Sequence, residues 1–63
     1  MKHQEIAVFW RLPNGLRCVA VQHEGQWQLR VVHGNEIVSR EQVANGRLLL
    51  KRARELKSEM MNN

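Results

Sequence analysis

Apolar and polar positions alternate through the first half of the chain and then switch to a spacing of three to four residues. Alternation marks strands with one covered face, and the longer spacing marks a helix with an apolar stripe. The first strand is predicted from Glu5 to Leu12, a run rich in β-branched and aromatic residues. Pro13-Asn14-Gly15 then turns the chain: proline presets φ, and glycine tolerates the positive φ that closes a bulged hairpin. Leu16 to His23 and Gln26 to His33 are the next strands, joined by Glu24-Gly25. Gly34-Asn35 leads into a short fourth strand, Glu36 to Val38.

These turns fix a register, and the register tests the strands. With 13–15 as the first loop, Leu12 faces Leu16 and Trp10 faces Cys18. With 24–25 as the second, Gln22 faces Trp27, Ala20 faces Leu29 and Cys18 faces Val31. With 34–35 as the third, Val31 faces Val38. One face then carries Ile6, Val8, Trp10, Leu12, Leu16, Cys18, Ala20, Trp27, Leu29, Val31 and Val38. It reads as a core face, with small residues on its central strand where a helix fits close.

The helix is predicted over about 39–61. Ser39 with Gln42 three residues on has the form of a capping box, and Leu49, Ala53, Leu56 and Met60 form one stripe. Asn45-Gly46 offers a competing start, with the main helix from about 46 to 60. The expected fold is α+β: an antiparallel three- to four-stranded β-meander, strands about 5–38, packed on one face by a C-terminal α-helix (ββββα). Residues 1–63 form one small domain.

The second sheet face is predicted to carry Ala7, Phe9, Arg11, Arg17, Val19, Val21, Gln28, Arg30, Val32 and Ile37. One helix covers one side, so Phe9, Val19, Val21, Val32 and Ile37 would be exposed in a monomer. An apolar patch with polar neighbours marks an interface, and a chain this short buries only about 60% of its surface. A homodimer through this face or a sheet edge is the expectation.

Charge adds a second reading. Ten Lys and Arg stand against six Asp and Glu, a formal net charge of +4. Arg11, Arg17 and Arg30 fall on the second face, and Arg11 lies opposite Arg17, where like charges repel unless something neutralises them. A nucleic-acid backbone or an acidic partner would do so, because the guanidinium fork grips two oxygens, and Phe9 beside them would stack a base. The plainer account is neutralisation by Glu24, Glu36 or a partner's acids. Arg47, Lys51 and Arg54 form a basic helical stripe that would track phosphates, or simply a solvated face with Glu55 pairs.

Catalytic patterns are scarce. The chain has no phosphate-binding glycine loop and no Ser/His/Asp set. Its single cysteine, Cys18, reads as a small buried hydrophobe, and a Cys18–His33 dyad lacks an orienting acid. Met1-Lys2-His3 places a histidine third, where amine, amides and imidazole can hold Cu(II) or Ni(II) in a square plane. No segment approaches the roughly 20 apolar residues of a membrane span, and the apolar run from Ile6 to Leu12 is too short for a signal peptide. Together these predict a cytoplasmic, non-enzymatic binding module that self-associates, without cofactor or metal. A protein partner fits this reading; nucleic-acid binding is the alternative, and a metal-handling or thiol enzyme is a distant third.

Overall fold

A computed structural model describes residues 4–62, with side chains from Ile6 onward. Four antiparallel strands, β1 (Gln4–Arg11), β2 (Leu16–His23), β3 (Gln26–His33) and β4 (Glu36–Val43), pair in sequence order. Helix α1 (Gly46–Met61) packs against one face of this sheet. The ββββα order is the one the sequence pattern predicts.

The turns set the register as their chemistry requires. In the first hairpin the Leu12 amide donates to the Leu16 carbonyl at 2.8 Å and the Gly15 amide to the Leu12 carbonyl at 3.0 Å, with Gly15 at φ +96°. Glu24 and Gly25 both take positive φ, 52° and 76°. That is the requirement of the tight hairpin turn whose twist matches its strands. Trp10 therefore faces Cys18, Ala20 faces Leu29, Cys18 faces Val31 and Gln22 faces Trp27.

The departures come from bulges in the edge strands. β1 has register shifts between Glu5 and Ala7 and between Val8 and Trp10. Each sets two residues against one on β2 and resets the face of what lies beyond. Ala7 comes opposite Ala20 and Val8 opposite Val19, while Phe9 packs against the helix-side core beside Trp10. The assignments of Phe9 and Ala7 to the second face and of Ile6 and Val8 to the core are thus corrected; Ile6 and Val8 are exposed. β4 is bulged at Val38, so Val31 faces Ser39 rather than Val38, which is exposed.

The fourth strand also runs five residues further than predicted, to Val43. Ser39, Glu41 and Val43 pair with Val31, Leu29 and Trp27, so the backbone that a Ser39 cap would have started as helix is held in the ladder. The cap is Asn45, whose side chain accepts from the amides of Arg47 at 3.0 Å and Leu48 at 3.3 Å. Leu49, Ala53 and Leu56 face the sheet and meet Trp10, Cys18, Ala20, Leu29, Val31 and Val43. The Trp10 indole donates to the Ala53 carbonyl at 2.8 Å. Arg52 ties the helix to β4 by a forked pair with Glu41 at 2.5 and 3.0 Å.

Replacing a side-chain cap with alanine costs about 1 kcal/mol. Asn45→Ala is expected to lower the urea-unfolding free energy by about that amount, and Ser39→Ala by clearly less. The reverse order would place the helix start at Ser39.

Candidate anion-binding sheet face

Helix α1 occupies one side of the sheet, and the register defines the other. Arg11, Arg17, Val32 and Ile37 form one row across all four strands, and Val8, Val19, Arg30 and Arg40 form the next. Val21, Gln28 and Gln42 follow in a third row, with Glu5 at its β1 corner. Arg11 is the direct partner of Arg17, and Arg30 of Arg40. With strands about 4.8 Å apart and one two-residue step, the four arginines trace a diagonal track roughly 16 Å long.

The central valines of this face are covered, while Val8 at its β1 edge is exposed. Val19 and Val21 are each 1% exposed and Val32 6%, so they form no exposed patch; Ile37 alone of the five predicted interface residues is exposed. Their cross-strand neighbours on β3 and β2 are Arg30, Gln28 and Arg17 respectively. Long polar side chains lay their stems over apolar surface. Arg30 Nε donates to Gln28 Oε1 at 2.6 Å, and the Gln42 amide donates to Gln26 Oε1, so the covering layer is hydrogen-bonded within itself.

Electrostatics set this face apart. Arg30 is only 8% exposed, lies opposite a second arginine, and has the neutral Gln28 as its hydrogen-bond partner. Arg17 is held by an interaction of its own. Among the described side chains none on this face is acidic. The acids gather elsewhere: of the chain's six, Glu41, Glu55 and Glu59 all meet Arg52 on the helix side. The hydrogen bond from Arg52 holds the Glu41 carboxyl below its ordinary range, and the same bond raises Arg52. Glu24 sits in a turn, 3.9 Å from His23, and Glu36 pairs with His33 in the register.

The structure divides the basic residues predicted from sequence. Arg11, Arg17 and Arg30 share the open sheet face. Arg47, Lys51 and Arg54 are exposed on α1, away from its buried stripe, so the two sets lie on opposite sides of a molecule whose thinnest extent is 15 Å. Arg40 joins the sheet set unpredicted, because the Ser39–Gln42 pattern had assigned it to the helix. The alternation of Ser39, Glu41 and Val43 with Arg40 and Gln42 is the signal that places it.

Other chemistry is less developed. Cys18 is fully buried, and burial pushes its thiol up to about 11. His33 is engaged by the Asn14 carbonyl at 3.1 Å, at the end of the first hairpin. Among the described residues no group of three His, Cys, Asp or Glu could hold a metal, and no helix is long and apolar enough to cross a membrane. The Met1-Lys2-His3 metal motif lies outside the described residues. A shallow groove of about 300 Å³ at the first hairpin is lined by Arg11, Leu12, Gly15, Leu16 and Arg17, next to the start of the arginine track. No family model, curated protein or solved structure matches this chain.

Two outcomes follow. Cys18 is expected to resist a thiol reagent in the native protein and to react on denaturation; rapid native labelling would contradict its burial. Glu41 is lowered in the folded state, so its contribution to stability is present above the usual carboxylate value of 4.5 and is lost as pH falls through its lower folded value. The advantage of the wild type over Glu41→Gln, under about 1 kcal/mol at neutral pH, is expected to vanish on acidification, as read by urea unfolding across pH.

Proposed function

We propose that this chain is a small non-enzymatic binding module whose open sheet face engages a polyanion, with nucleic acid as the ligand class. The observation that carries the reading is Arg30, nearly buried, opposite Arg40 and hydrogen-bonded to a neutral amide. Like charges directly across a ladder destabilise it by a few tenths to about 1 kcal/mol. A phosphate between them turns that repulsion into two charge-assisted contacts. Tethering to Gln28 also holds the Arg30 fork before a ligand arrives, which lowers the ordering cost of binding.

Self-association is a second reading, favoured by the exposed apolar residues on both sheet edges: Ile6 and Val8 on β1, Ile37 and Val38 on β4. A single 7.4 kDa species in light scattering at high micromolar concentration would exclude it.

The polyanion reading is tested by titrating labelled oligonucleotides across salt concentrations. Three to four phosphate contacts give a slope of log K against log salt of about −2 to −3.5. Arg40→Gln is expected to weaken binding and flatten the slope by somewhat under one while leaving thermal stability equal or higher. Absence of binding to any oligonucleotide at low salt would remove the reading.

A further inference from the structure

We infer that the sheet face takes double-stranded nucleic acid, gripping its backbone without reading bases, in preference to single strands; this rests on the polyanion reading above. Single-strand binders hold unstacked bases on aromatic side chains, each stack strengthening binding on the order of tenfold. The chain has one Phe, two Trp and no Tyr. Trp10 lies in the helix-side core, and Phe9 and Trp27 pack against it. Phe9 is the decisive one: simple alternation places it among the arginines, and the bulge between Val8 and Trp10 turns it away. Between exposed Val8 and Ile37 at its edges, the face is left with guanidinium and amide groups over buried valines, a surface for phosphates.

Charge density then chooses the ligand. A duplex carries one charge per about 1.7 Å of axis over its two strands, so roughly nine charges lie within a length of roughly 16 Å, about five of them on the strand nearer the track. A single strand presents fewer charges and condenses fewer counterions for release, as its shallower salt slope per contact records. The arginine pairs are held on a hydrogen-bonded sheet, and Arg30 is fixed further by Gln28. A fixed array suits the regular backbone of a duplex better than a flexible strand. Contacts of this kind carry no sequence information.

The experiment is an anisotropy titration of the whole chain against a duplex of about 20 base pairs, one of its strands alone, and a second duplex of unrelated sequence, at one salt concentration low enough to saturate binding. The duplex is expected to bind about tenfold tighter than the strand, with the two duplexes within about twofold of each other. Tryptophan fluorescence is expected to stay nearly unchanged, because both indoles are on the helix side. A strand binding as tightly as the duplex, strong quenching by the strand, or a tenfold preference between the duplexes would each overturn the inference and leave the polyanion reading standing. Failure of all three ligands to bind would sink that reading as well.

Discussion

One helix has to cover a sheet of four strands, and it can cover one side. Its sixteen residues run roughly 24 Å and reach the core residues of β1 through β4. Close approach depends on small residues at the contact: Cys18 and Ala20 on the central strand and Ala53 on the helix, all at most 1% exposed. The Trp10 indole closes the same contact by bonding the Ala53 carbonyl. The opposite face has no second helix. Val19, Val21 and Val32 are buried there beside Arg30, Gln28 and Arg17 across the ladder, so covering the second side brings positive charge to it.

The sequence carried the centre of the sheet better than its edges. β2 and β3 follow from their turns, because a hairpin loop of known length dictates every pair behind it. Bulges leave no such trace. The extra residues in β1 and at Val38 look like ordinary strand residues, yet each resets the face of its neighbours. That moved Phe9 to the core and exposed Ile6 and Val8. Ser39 and Gln42 show a different failure, since a capping-box pattern and a polar edge strand can share the same letters. The ladder from Ser39 to Val43 and the Asn45 cap decided between them, and with that choice Arg40 moved from the helix to the sheet.

Net charge understates what the fold does with charge. A formal +4 spread evenly would be a mild field. Instead Arg52 gathers Glu41, Glu55 and Glu59 on the helix side, and the charged side chains described on the sheet face are all arginines. The Arg52 cluster has a structural use of its own, joining the helix to the outermost strand. Three of the chain's six carboxylates are thereby engaged with Arg52 on the helix side.

Arg30 shows why covering the sheet and the proposed anion binding are hard to separate. In the ladder it pairs with Val19 on one side and with Arg40 on the other. Lysine would keep a covering stem and a positive charge, but it would lose the planar fork and the Nε donor that meets Gln28. Methionine would cover the valine and relieve the repulsion, at the expense of the proposed anion contact. A side chain chosen for stability alone would therefore favour the neutral residue. The arginine, set opposite another arginine with a neutral amide to hold it, supports the polyanion reading proposed for this face.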